Sequence, residues 1–404
     1  MPDLLDCTVM PYAWGSRTAI ASLQGRPVPS PTPEAELWMG AHPLAPSKLI
    51  RDGRETDLAT LTAANGLREL GERVMSRFGP RLPFLMKVLA ADEPLSLQAH
   101  PTEAQARAGF EEEERRGIPL AAPDRNYKDP HHKPELLSAL SPFDALCGFR
   151  RADETLALFT ELAVPALKPV LVPLRESPDA SGLGAMFRTL MTLPADQATR
   201  VTVAVVDACR AYRGHFDREC RWAVRLNEKY PGDRGIVGAL MLNLVHLESG
   251  EAIYLGAGSL HAYLHGVGIE IMAGSDNVLR GGLTPKHVDV AELLNVLDFR
   301  DGPVGVLRAR AIDAEEAVWD TPAPEFRLSR IVVSGIGVER EVTGPEIVLC
   351  TEGTLTMASA GGQASIVLAR GAAAFVAADA RRYRLDGQGT VFRATTNLAA
   401  AVKG

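Results

Sequence analysis

The chain holds only five cysteines, Cys7, Cys147, Cys209, Cys220 and Cys350, an odd and widely spread set without a CxxC pair. That excludes a disulfide framework and a thiolate zinc site, and fits reduced, mostly buried thiols. No run of about 18 uninterrupted apolar residues occurs, so no membrane-spanning helix is expected. The opening MPDLLDCTVMPYAWGS has no basic segment followed by an apolar one, the mark of an export signal. The expectation is a soluble, cytoplasmic protein with no membrane partner. Positive charge is not in excess: 43 Lys+Arg stand against 50 Asp+Glu, for a net −7, and the basic residues are scattered. A nucleic-acid binder needs a concentrated positive face, so that class is disfavoured. No histidine follows His287, which marks the C-terminal stretch as scaffold rather than chemistry.

At 404 residues the chain exceeds the roughly 250 to 300 that one core sustains, so two or three domains are expected. Up to residue 150, short apolar runs such as LPFLMKVLA (Leu82 to Ala90) alternate with turn residues and one acidic, helix-prone segment, Thr102 to Gly117. Over 151–237 the apolar residues of DETLALFTELA, GLGAMFRTLMTL and DRECRWAVRLNEKYPGD recur at helical intervals, which predicts a helical insertion. From 238 to 300 short apolar runs divided by SG, GAG and HG resume the rhythm of antiparallel strands, with one short helix in PKHVDVAELLNVL. Residues 301–404 read as a second, smaller β-barrel. The fold class is therefore mainly β with a helical insertion: tandem jelly-roll barrels, the first discontinuous over 1–150 and 238–300.

All nine histidines lie between His42 and His287. In LSLQAHP, Gln98 and His100 are two residues apart, so a strand places both on one face with Ser96. A core histidine with an ordinary hydrogen bond is the commoner meaning of such a strand. GEAIYLGAGSLHAY delivers His261 just after a glycine-rich turn. His261, His100, Gln98 and one nearby carboxylate would make a mixed N/O set suited to zinc. In DPHHKPE, which a solvated charge run would equally explain, Pro130 and Pro134 stiffen the backbone around His131, His132, Lys133 and Glu135. Glu270, Asp276, Arg280 and Lys286 sit in an apolar, glycine-rich stretch, where charged groups are more often partnered than solvated. Arg280, Lys87 and Lys133 are suited to phosphate.

These motifs resemble type I phosphomannose isomerase. The pattern Tyr-x-Asp-x-Asn-His-Lys-Pro-Glu appears as YKDPHHKPE, and the long pattern from His-Ala-Tyr to Thr-Pro-Lys as HAYLHGVGIEIMAGSDNVLRGGLTPK. PYAWGS, AELWMGAHP, LPFLMKVLAADEPLSLQAHP and FDALCGFR match in the same order. The resemblance implies a cupin-type catalytic domain and a single zinc held by Gln98, His100, Glu135 and His261. It places active-site roles on Lys87, Ser96, Lys133, Tyr263, Glu270, Asp276 and Arg280, and an aromatic lining on Trp14. Two positions depart from the family: His131 stands where Asn is usual and Gly281 where Ala is usual.

The implied reaction interconverts mannose 6-phosphate and fructose 6-phosphate through a cis-enediol, by a monomer working in carbohydrate metabolism towards GDP-mannose. Lys133 with Glu270 or Asp276 is expected to move the proton, His132 to open the ring, and Arg280 with Lys87 and Ser96 to hold the phosphate. Two rivals are a sugar-phosphate-binding cupin without turnover and a metal-dependent cupin of other chemistry.

Overall fold

The computed structural model describes residues 2–359 and 365–398. Its organising element is the 13-residue strand His261–Ala273, which belongs to an eleven-stranded antiparallel sheet. Its first part pairs with Phe143–Phe149 and meets Gln98 opposite His261, whereas Gly266 to Ala273 pair with Phe84–Ala91 on one side and Glu135–Ala139 on the other. The change of partners falls at a register shift between Tyr263 and His265 and at Gly266, whose φ is +130°. A β-carbon on Gly266 would stand 2.6 Å from Phe143 Cδ2, so only glycine admits the close crossing of the two strands.

Side chains alternate across these strands, and that alternation places the chemistry. Along Phe84–Ala91, Phe84, Met86, Val88 and Ala90 point to one core, and Lys87 takes the opposite face. Ile269 and Ile271 join the same core, which leaves Glu270 and Met272 on the face of Lys87. The other half of that core comes from a nine-stranded antiparallel sheet, through Trp319, Ile347, Leu349, Phe375 and Phe392, with Phe326 just ahead of the strand Arg327–Ser334. The two sheets exchange edges: Asp3–Leu5 pairs with Ala373–Val376 in the second, and Leu307–Arg308 with Glu251–Leu255 in the first.

Six helices lie between residues 152 and 240, the longest being Ala195–Ala211. Their apolar stripes, including Leu158, Phe187, Leu190 and Val205, share one core with Leu97, Ala99, Leu260, Ala262 and Leu279. The helices thus support from outside the strands that carry Gln98, His261 and Arg280 and that lead into His100. The acidic segment expected to be helical is Glu103–Arg115, started by a capping box in which Thr102 and Gln105 satisfy each other's backbone N–H groups. Short helices at Leu58–Ala64, Gly66–Leu70 and Glu72–Phe78 interrupt the strands of the first part. Among the described residues no helix is long and apolar enough to cross a membrane.

Candidate metal centre and its cleft

Glu135 and His261 come from two strands and His100 directly follows the strand Leu97–Ala99; all three are buried, with donor atoms within 4.8 Å of one another. The local folding aims them. His100 Nδ1 lies 2.7 Å from the Asn277 carbonyl and His261 Nδ1 lies 2.9 Å from the Ser259 carbonyl. A carbonyl only accepts, so each Nδ1 carries the proton and each Nε2 presents a lone pair. Those Nε2 atoms stand 3.3 and 3.6 Å from the Glu135 carboxylate. Both, and Glu135 Oε2, are buried without a hydrogen-bond partner.

Three converging buried acceptors with no donor between them are costly unless a cation joins them. Burial pushes His261 down to about 4, keeping its imidazole neutral. Burial alone would raise Glu135, but the Lys133 ammonium works against it, and the carboxyl is held well below its ordinary range. Neutral imidazole and ionised carboxylate are the metal-binding forms. A set of two imidazoles and a carboxylate, without thiolate, fits zinc. Gln98 is half-buried, pairs in register with His261 on one side and Arg280 on the other, and lines the same cleft as Glu135.

That cleft measures about 660 Å³, and Trp14, Lys87, Ser96, Lys133, Tyr263, Glu270, Asp276 and Arg280 all line it. Lys87 and Glu270 are direct cross-strand neighbours, and their charged atoms meet at 2.8 Å. Burial works against the Lys87 charge, but the carboxylates of Glu270 and of Glu36, 3.5 Å away, outweigh it and raise its pKa. Burial, with Glu135 and Glu36 nearby, raises Glu270 despite Lys87. Lys133 Nζ lies 3.1 Å from Glu135 Oε1. Arg280 forms no ion pair among the described residues, and burial lowers its pKa. The Tyr263 hydroxyl is buried without a partner, and burial beside Glu270 and Glu135 raises it well above its ordinary value.

Two of the expected site residues are held by partners that the sequence did not indicate. His132 does not line this cleft: its Nε2 turns away to Glu325 at 2.9 Å, at a second cleft on the far side of the wall. Lys87 is already committed to two carboxylates, so Arg280 is the better placed cation for a phosphate. Sequence reading also passed over His42, whose Nε2 stands 3.1 Å from Asp276 although 234 residues separate them. Burial would raise Asp276, but His42, Lys133 and Lys87 outweigh it and hold it below its ordinary range. Glu36 and Trp38 were missed too, though both fall in the AELWMGAHP match that holds His42. Of the two departures, His131 faces the second cleft, and a β-carbon on Gly281 would come within 3.2 Å of Leu260 Cδ1.

Residues 4–152 match the model of the type I phosphomannose isomerase catalytic domain. Mannose-6-phosphate isomerase of Escherichia coli K12 is 38% identical over 401 residues, 97% of this chain and 98% of that protein. The human enzyme of the same name is 32% identical, covering 93% of each chain. A crystal structure of a Salmonella typhimurium phosphomannose isomerase mutant superposes with a TM-score of 0.91 at 35% identity, over 98% of this chain and 100% of that one. Another, of the Salmonella typhimurium enzyme bound to fructose 6-phosphate and zinc, gives 0.90 with the same coverage and identity. With the metal-ready cluster, the charged cleft and the whole length of the chain in agreement, this protein belongs to the type I phosphomannose isomerase family.

Proposed function

We propose that the chain is a zinc-dependent aldose–ketose isomerase that interconverts mannose 6-phosphate and fructose 6-phosphate. The observation that carries this reading is the unpartnered His100–Glu135–His261 cluster, opening on a cleft lined by Lys87, Lys133, Glu270, Asp276 and Arg280. His100, Glu135 and His261, with Gln98, would hold one zinc per chain, which supplies Lewis-acid polarisation or a template for the sugar oxygens.

The remaining work falls to the protein's own groups. Arg280, free of any carboxylate among the described residues, takes the phosphate with Ser96 beside it in the cleft. The His42–Asp276 pair offers a proton acceptor and donor in one dyad for opening the ring, the role first assigned to His132. Lys133 and Glu270 then serve the isomerisation: a proton leaves C2 of the aldose while O1 takes one up, giving the cis-enediol, and a proton is then delivered to C1 while O2 loses its own. Lys87 stays charged beside Glu270 and fixes that carboxylate. Trp14 and Tyr263 line the cleft and exclude water.

We take the chain as three domains, with limits at 150, 237 and 300, in keeping with the helices between residues 152 and 240 and with the two large sheets, each of which lends the other an edge strand. Five unpaired cysteines favour a cytoplasmic setting, and we take the working unit to be a monomer supplying carbohydrate metabolism towards GDP-mannose.

The test is a coupled assay of fructose 6-phosphate formation before and after chelation, with elemental analysis of the purified protein. Chelation is expected to abolish turnover, zinc to restore it, and the zinc content to be one per chain. Full activity in a metal-free preparation sinks the proposal.

A further inference from the structure

A second cleft of about 610 Å³ lies behind the metal cleft and shares none of its lining residues. The partition between them is one pair of segments. Lys133 and Glu135 face the metal while His131 and His132 face the second cleft; Met272 and Asp276 face the metal while Ala273 and Gly274 face away. The segments are tied by the Ala273 N–H to the Pro134 carbonyl at 3.1 Å, and by the Ser275 hydroxyl to the His131 carbonyl at 3.1 Å.

Charge in this second cleft is unbalanced. Its two carboxylates are partly engaged: Glu325 Oε1 meets His132 Nε2 at 2.9 Å while its Oε2 is buried without a hydrogen-bond partner, and Glu103 accepts the His132 N–H at 2.9 Å while its other oxygen meets His131 and Arg107. Arg77 and Arg81 form no ion pair among the described residues. Arg81 is partly buried, anchored only through Nε to the Phe78 carbonyl at 3.1 Å, and burial lowers its pKa. Two guanidiniums without a carboxylate partner, Arg77 over the Phe78 ring at 6.0 Å and Arg81 with its terminal N–H groups left over, joined by Arg107 at the rim, suit an oxyanion that accepts several N–H bonds at once. A cavity of this size admits a small organic phosphate.

We propose that this second cleft binds a small phosphate-bearing anion through Arg77 and Arg81, on the reverse of the wall that carries Lys133 and Glu135. It is a site separate from the isomerase cleft and takes the same chemical class of ligand.

Equilibrium binding of radiolabelled inorganic phosphate to the zinc-loaded protein tests it. The wild type is expected to hold two phosphates per chain, one in each cleft. The Arg77→Ala/Arg81→Ala double variant is expected to hold one, with kcat/KM for mannose 6-phosphate within about twofold of wild type, a difference well below the tenfold that marks a lost contact. Arg77→Ala alone, at an exposed side chain, is expected to weaken the same phosphate by about tenfold, so the result does not depend on how well an Arg81 variant folds. Arg280→Ala removes the other phosphate, so failure of the isomerase assignment is seen separately. An unchanged stoichiometry and affinity in both Arg77 variants overturns the proposal.

Discussion

Lys87 and Glu270 form a buried ion pair whose value is conditional. Taking both charges out of water costs several kcal/mol each, and their attraction repays that only while both are present. Glu270→Ala leaves the ammonium with Glu36 at 3.5 Å and the face of Trp38, 5.5 Å from the ring centre. The expected loss is about 3 kcal/mol, together with most of the activity. Adding Lys87→Met to Glu270→Ala removes the stranded charge, so the double variant is expected to be more stable than Glu270→Ala while remaining inactive. Urea denaturation of both variants checks this; a double variant less stable than the single one shows that Glu36, left without its ammonium, costs more than the Lys87 charge that was removed. At this scale the sequence was informative where spacing fixes a face, as for Gln98 and His100. At His132 spacing was silent, because a run of polar residues does not reveal which side of a wall each occupies, and its imidazole meets Glu325 at the second cleft. His42 was beyond reach of local spacing, since its partner Asp276 is 234 residues away.

Among the elements, the strand His261–Ala273 does two jobs, with His261 at one end in the metal cluster and Glu270 beyond the crossing at Gly266. Its alternation of inward and outward side chains was readable in IEIM, and so was the turn before it. The change of pairing partners was not, because register across four strands depends on residues far apart in sequence. Gly266 was read only as a turn signal, yet it holds φ at +130° against Phe143. In Gly266→Ala the new methyl would meet the Phe143 ring at 2.6 Å and the Pro142 carbonyl at 2.7 Å, and the backbone would be strained as well. Backbone strain and overpacking of this kind cost about 2 to 4 kcal/mol together. The strand must shift to relieve them, and His261 shifts with it. The variant is therefore expected to melt several degrees lower and to retain less than one zinc per chain after dialysis. A Gly266→Ala protein with full zinc and an unchanged melting point shows that the crossing tolerates a side chain.

Across the whole molecule, the sequence located the β regions and the helical segment between them, because hydrophobic period and Gly/Pro punctuation are local signals. What it did not show is how the parts are pinned together. Tyr254, Ile269 and Ile271 meet Trp319 and Phe326 in a shared apolar core, and at its margin His132 of the first part holds Glu325 of the second. That contact has a pH signature. The hydrogen bond to Glu325, opposed by burial, raises His132 above its ordinary value of 6.5. A group raised in the folded state binds its proton more tightly folded than unfolded. Its contribution is therefore complete below the unfolded pKa and is lost as pH rises through the folded one. Glu325→Gln removes the acceptor charge and, with it, the largest cause of the shift. The stability difference between wild type and Glu325→Gln is expected to be about 1 to 2 kcal/mol at about pH 6 and to shrink towards zero by about pH 8.5. Measured by urea denaturation in phosphate-free buffer, a difference that grows with pH, or stays flat, would show that His132 is not charged against Glu325 in the folded protein.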